Sequence, residues 1–350
     1  MSQGAVERPI NGDKPLPPEF FTDPGPDLHG LNNEVRATCP FHAIDYPPGA
    51  SAFVVADYET AVKTLADPRL SKQPDNAPAW FRDRLAEASP VMIRNMITAD
   101  PPEHTRLRKL VSRAFVPRKM ELLAPRIQQI TDDLIDGFPE SGEIDLMEFA
   151  FAVPVQVICE FLRVPPGDQD LVRRGVVMLS EAPYPDEERN RLLRIASDKI
   201  ESYLDGMIAD RRANLGEDLV SELIRASDEH GVFTNEELIS TLTLLLIAGH
   251  KTTANLIGNG MQALLRNPDQ FELLRDNPDL AESAVEEFLR FESPVFRGTL
   301  RLALEDMEIN GTPVPKESFV HVLVSSANRD PDAFENADEL DISRSPNKHV

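Results

Sequence analysis

Apolar residues recur at three- and four-residue spacing through most of the chain, and that period predicts a mainly α protein with a small β region near its end. The longest such stretch runs from Asn235 to Arg266. Thr234, followed three residues on by Glu237, makes a capping box, and nothing interrupts the pattern before Pro268. One helix of roughly 32 residues, on the order of 48 Å, is therefore expected. Its middle, Leu242 to Gly249, is apolar on every side, as a buried spine would be.

The centre of that spine is locally weak. Gly249 is a poor helix former by about 1 kcal/mol relative to Ala, and the β-branched pair Thr252 and Thr253 follows within a turn. Thr252 lies four residues after Ala248, so its hydroxyl can compete for that carbonyl. Gly249 leaves room for a closely crossing helix or for a ligand held against the backbone, and these residues by themselves favour the packing contact.

Shorter helices are expected at 57–65, 119–137, 143–162, 167–181, 186–214, 217–228, 268–275 and 279–291, with strands at 51–55, 301–304, 307–309 and 319–324. The first fifty residues, rich in Pro and Gly, read as an irregular lead-in. Residues 71–96 read as a long loop carrying Trp80, Phe81 and Met96, which either covers a ligand or packs down. The stretch 162–190, broken by Pro165, Pro166, Pro183 and Pro185, reads as a helix-loop-helix lid.

Composition narrows the function. Hydrophobic residues make up 41% of the 350, enough for a large core, and the length allows two domains or one large one. The 59 acidic residues outnumber 36 basic ones, a net charge of −23, which argues against a nucleic-acid or anionic membrane surface and in favour of small molecules or proteins as partners. Cys39 and Cys159 stand far apart and form neither a disulfide framework nor a thiolate metal cluster. The start has no signal-peptide core and no apolar run reaches the roughly 20 residues of a membrane span, so a soluble, cytoplasmic protein is expected.

Against that acidic background residues 100–115, DPPEHTRLRKLVSRAF, form a basic island. His104 and Arg108 are four apart on one helix face, a pair suited to gripping a carboxylate or phosphate if it points inward. Arg106, Lys109 and Arg113 default to a solvated face. In the predicted helix 279–291, Glu287 and Arg290 are spaced i,i+3, an arrangement that carries little information alone.

Four motifs stand in order: the basic island, AGHKTT at 248–253, EEFLR at 286–290 and ANRDP at 327–331. Together, and with smaller matches from about residue 50 to the end, they resemble the bacterial soluble cytochrome P450 monooxygenases. The resemblance implies a single domain, 1–350, folded as a helical prism with a small β-sheet region, binding haem b. It assigns oxygen activation to Thr252, with Ala248 and Gly249 forming the oxygen groove and Lys251 standing where the family has an acid. Haem propionates are implied at His104, Arg108, Arg301 and His349, and a buried structural pair at Glu287 and Arg290 with Arg344 or Arg329 as a third member. Substrate contacts are implied at the 71–96 loop, the 163–190 segment, Leu244, Leu245 and Ala248 on the spine, and the segment 295–299 with Val295 and Phe296. The expected partners are a ferredoxin and its NAD(P)H-dependent reductase, O2 and a small apolar organic substrate, in secondary metabolism. The basic island is a candidate ferredoxin docking patch, with no nucleic acid and no membrane involved.

Two departures qualify the resemblance. Lys251 replaces an Asp or Glu that relays protons, so that proton delivery is altered or the Lys faces solvent while water does the relaying. The family's axial cysteine lies after the His matching His349, so no metal ligand is expected within this chain and the axial Cys is expected beyond Val350, the sequence being C-terminally incomplete. Cys39 and Cys159 read as packing residues. A non-redox haem or ligand-binding relative and a haem-less helical interaction protein remain as competing readings.

Overall fold

A computed structural model describes residues 15–17, 19–22, 27–47, 49–85, 90–115, 117–179, 187–230 and 233–350. The elements in chain order are α1 (Glu19–Thr22), α2 (Leu28–Thr38), β1 (Phe41–Ala43), β2 (Ala52–Val55), α3 (Tyr58–Ala66), β3 (Leu70–Ser71), α4 (Ala79–Leu85), α5 (Pro90–Ile93), α6 (Glu103–Ala114), α7 (Pro117–Asp136), α8 (Leu146–Phe161), α9 (Gln169–Leu179), α10 (Glu187–Ala213), α11 (Leu219–His230) and α12 (Asn235–Arg266). They continue with α13 (Pro268–Asp276), α14 (Ala281–Phe291), β4 (Arg301–Ala303), β5 (Met307–Ile309), β6 (Thr312–Val314), β7 (Phe319–Val322) and α15 (Val324–Ala327). The backbone forms two compact units, one of Met1–Lys72, Asn76–Pro78 and Asn259–Val350, the other of Gln73–Asp75 and Ala79–Gly258.

The first unit is built on a five-stranded sheet of order β1-β2-β7-β4-β3, antiparallel except for the parallel β2–β7 pair, with a separate β5–β6 hairpin. Asn310 and Gly311 take positive φ at the hairpin turn, the conformation a tight connection demands. Phe41, Val55, Leu70, Ala303, Val320 and Val322 fill one side of the sheet, together with Ala327 of α15. The second unit is helical, its core drawn from Leu107, Cys159, Ile200, Leu204, Leu223, Leu238, Leu242 and Leu246 among others.

The spine appears as expected: α12 has 32 residues, and Thr234 and Glu237 exchange both capping bonds, Glu237 N donating to Thr234 Oγ1 at 3.1 Å and Thr234 N to Glu237 Oε2 at 2.8 Å. Helices α7 to α11 lie within a few residues of their predicted bounds. Three expectations are corrected. The lead-in contains an 11-residue helix, α2, started by the Asp27 carboxylate accepting from Gly30 N at 2.8 Å. The 71–96 stretch carries α4, α5 and a short 3₁₀ turn at Pro74–Asn76 rather than one loop. The last strand stops at Val322, and α15 follows. Residues 180–186 of the predicted lid lie outside the described residues.

Candidate active site

In the second unit α12 presents two contrasting sides. Leu242, Leu244 and Leu246 are buried and Leu245 is half-buried. One turn on, Ala248 and Thr252 are half-buried and Gly249 is exposed, and a Cβ built at Gly249 would meet no atom within 4 Å among the described residues. The packing reading of Gly249 is thereby overturned: among the described residues nothing packs against that position. Thr252 Oγ1 donates to Ala248 O at 2.6 Å, the local bond its spacing predicts. Packing glycines do exist on this helix. A Cβ at Gly258 would lie 2.5 Å from Met147 Sδ, and one at Gly260, in the first unit, 2.7 Å from the Phe288 ring.

His250, two residues before Thr252, had no predicted role. It is 1% exposed, its ring centroid 5.4 Å from that of Phe151 on α8, and among the described residues neither ring nitrogen has a hydrogen-bond partner. Burial, and then the Lys251 charge, hold its pKa below the ordinary imidazole range. Lys251 itself is exposed.

The basic island is α6. His104 is half-buried and Arg108 exposed, so of the pair expected to point inward only His104 is partly enclosed. Arg106 forms ion pairs with Glu103 and with Glu237 at the start of α12. Those carboxylates raise its pKa and in return it lowers that of Glu103. Arg106 is thus neutralised within its own unit and is no free docking charge, whereas Lys109 and Arg113 are exposed.

In the first unit Glu287 and Arg290 are both completely buried. Arg290 donates from Nε and Nη2 to the two carboxylate oxygens at 2.8 Å each, and spends its remaining donors on Asn328 O, Ala337 O and Glu339 O. The third member of the network, left open by the sequence, is Arg344, with Nε 3.1 Å from Glu287 Oε2. Arg329 turns instead to Glu292 and Asp338 and stacks 3.8 Å from the Phe291 centroid. Asp341 N and Asn347 Nδ2 also donate to Glu287, at 3.0 Å each.

Arg301, on β4, is 8% exposed and donates to Thr299 Oγ1. His349 Nε2 lies 2.9 Å from Glu286 Oε2. Val295 is exposed, Phe296 half-buried against the rings of Phe20 and Phe21. Between Phe296 and β4 stands Arg297, its guanidinium 4.4 Å from the Phe21 centroid and 5.2 Å from that of Tyr46. It lies within the expected 295–299 contact segment, and its neighbours in the chain give no sign of its setting, because Phe21 and Tyr46, the rings that flank it, stand about 250 or more positions earlier.

The residues present suit a haem in two respects. In the second unit, position 249 offers backbone without a side chain beside Ala248 and Thr252, which leaves room for a ligand, and His104 is a half-buried donor of the kind a carboxylate takes; in the first unit, taken by itself, Arg301 is a buried donor of that kind. The two cysteines do not serve as iron ligands. Cys159 is 1% exposed in the helical core, where burial pushes its thiol up to about 11, and Cys39 Sγ donates to Phe41 O at 3.1 Å. No helix among the described residues is long and apolar enough to cross a membrane.

Residues 180–349 match the family model for cytochrome P450. The cytochrome P450 monooxygenase PikC of Streptomyces venezuelae is 40% identical over 336 residues, 95% of this chain and 78% of that protein. The vitamin D(3) 25-hydroxylase of Pseudonocardia autotrophica is 41% identical over 328 residues, covering 93% and 78%. Among solved structures, CxnD, a cytochrome P450 enzyme for C–S bond formation in chuangxinmycin biosynthesis, is 47% identical with a TM-score of 0.90, over 97% of this chain and 83% of that one. Motif order, fold and the reach of these similarities agree, and the chain belongs to the cytochrome P450 family of haem-dependent monooxygenases.

Proposed function

We propose that the protein binds haem b and, with two electrons from a ferredoxin and its NAD(P)H-dependent reductase, inserts one atom of O2 into an apolar organic small molecule of secondary metabolism. The observation that carries this reading is the side-chain-free position at Gly249 beside Ala248 and the Thr252 hydroxyl. Haem would supply the oxygen-activating chemistry, and the chain supplies position, protons and a pocket. His104, Arg108 and Arg301 would hold its carboxylates. The Thr252 hydroxyl, released from Ala248 O, would donate a hydrogen bond into the groove and take up the next proton from water. Lys251, exposed, leaves that water as the relay, in place of the acid usual at its position. Leu244, Leu245, Val295 and Phe296 would contribute the apolar lining.

For electron delivery Lys109 and Arg113 replace Arg106 as the exposed cations an acidic ferredoxin could meet. The test is the CO-difference spectrum of the reduced full-length protein, with product analysis under NADPH, ferredoxin and reductase. A thiolate-type Soret band with oxygenated product is expected. A haem protein that consumes no NADPH would favour the non-redox relative, and a protein that takes up no haem would leave the interaction protein.

A further inference from the structure

Arg297 lies in the first unit between α14 and β4, in an aromatic box. Phe21 and Tyr46 flank its guanidinium, their own centroids 5.2 Å apart, and Phe21 also packs on Phe296. The fourth wall is His321 of β7, 4.8 Å from Phe21 and 5.9 Å from Tyr46, only 3% exposed, with Nε2 3.0 Å from Tyr46 O. In register, His321 stands opposite Val54 and Val54 opposite His42, so two buried imidazoles share this face of the sheet. Burial keeps both neutral, His321 down at about 3, and the charge that His321 feels is that of Arg297.

The box therefore sets a permanent, half-buried cation against rings and one neutral histidine. Arg297 Nη1 is fully shielded and has no hydrogen-bond partner, and among the described residues the side chain makes no ion pair. Ring faces stabilise a cation only in part, and the shielded Nη1 of this half-buried side chain is left without an acceptor. The fork of an arginine pairs edge-on with a carboxylate or a phosphate through two parallel hydrogen bonds, and the apolar surround here suits the singly charged carboxylate. Phe20, Phe21, Tyr46 and Phe296 beside it supply an apolar wall for the rest of such a molecule.

We propose that Arg297 is a carboxylate-recognition residue and that the substrate is accordingly an organic acid with an apolar body. This deepens the monooxygenase reading and rests on it for the acid's being a substrate rather than only a ligand. The same chemistry could come from a haem propionate, and the experiment separates the two sources.

The full-length holoprotein would be titrated calorimetrically with octanoate, dodecanoate and hexadecanoate, each against its primary amide, in wild type, Arg297→Gln and Arg297→Lys. In wild type at least one acid should bind about tenfold or more tightly than its amide. Arg297→Gln should bring that ratio near one while leaving amide affinity and the rate of haem loss to apomyoglobin unchanged, and Arg297→Lys should fall between. Equal binding of acid and amide by wild type overturns the proposal, as does an unchanged ratio in Arg297→Gln. Faster haem loss with the ratio intact makes the propionate the anion and overturns it too. If a variant loses the amide as well, its fold has failed and the wild-type ratio decides. Arg297-dependent acid binding without oxygenated product would leave the subsite standing and remove the monooxygenase reading.

Discussion

Arg344 Nε lies 3.1 Å from Glu287 Oε2, so a carboxylate already bonded twice by Arg290 carries a second guanidinium. With Asp341 N and Asn347 Nδ2 also donating to it, Glu287 is the hub that ties α14 to residues 341–347. Removing the hub strands two cations, one of them wholly buried. Glu287→Ala should cost about 3–5 kcal/mol of unfolding free energy. Arg344→Ala, at the 11%-exposed edge of the network, should cost about 1–2 kcal/mol, since Arg290 stays paired. Urea unfolding of both variants checks the order; equal losses would mean that Arg290 does not by itself compensate Glu287.

The three spine glycines should respond differently to alanine. Gly249→Ala meets open space and should gain up to about 1 kcal/mol of stability from helix propensity, while crowding the groove and lowering turnover. Gly258→Ala presses on the flexible Met147 thioether and should be near neutral. Gly260→Ala drives into the Phe288 ring and should cost about 1–3 kcal/mol. Thermal unfolding of the three, with product formation for the first, decides; a destabilised Gly249→Ala would restore a packing role there.

How far the chain could be read in advance follows from the range of the forces. The spine and α7 to α11 were legible because apolar period and caps such as Thr234–Glu237 are written within a few residues. Helix α2 was not, since Gly30, Asn32 and Asn33 thin its apolar stripe and its support is tertiary, Asn32 Nδ2 donating to Ser325 Oγ across 293 positions. The choice between Arg344 and Arg329 likewise depends on where a distant loop lands. His250 and Arg297 were overlooked because their character lies in what surrounds them, Phe151 for one and Phe21 with Tyr46 for the other.

Buried histidines should set the acid limit of stability. His42, His250 and His321 all have pKa values lowered chiefly by burial, His321 to about 3, so the folded protein binds fewer protons than the unfolded chain below about pH 6.5. Their contribution is complete above the unfolded pKa and is lost as pH falls through and below it, each histidine adding up to about 1.4 kcal/mol per pH unit. His250→Phe removes one titrating group and keeps a ring against Phe151. Urea titrations at a series of pH values from neutral to mildly acidic should show a shallower decline in this variant than in wild type. A parallel decline would mean that His250 is not protonated more readily on unfolding.

Proton delivery is the sharpest test of the spine. Thr252 Oγ1 is 2.6 Å from Ala248 O, so its hydroxyl must leave a local bond before it can serve the groove, while Lys251 stands on the exposed side where an acid would ordinarily relay protons. Thr252→Ala removes the hydroxyl and should divert reducing equivalents into peroxide, lowering product formed per NADPH by up to about a hundredfold, one general acid–base contribution at its modest end. Thr252→Ser keeps the hydroxyl and should keep most of the coupling. Lys251→Glu restores an acid at the relay position and should raise the fraction of electrons recovered in product. Stability should hardly change in any of the three, because none touches the buried side of α12. NADPH consumption, peroxide and product measured together decide the matter, and identical coupling in Lys251→Glu and wild type would show that water relays the proton without help from residue 251.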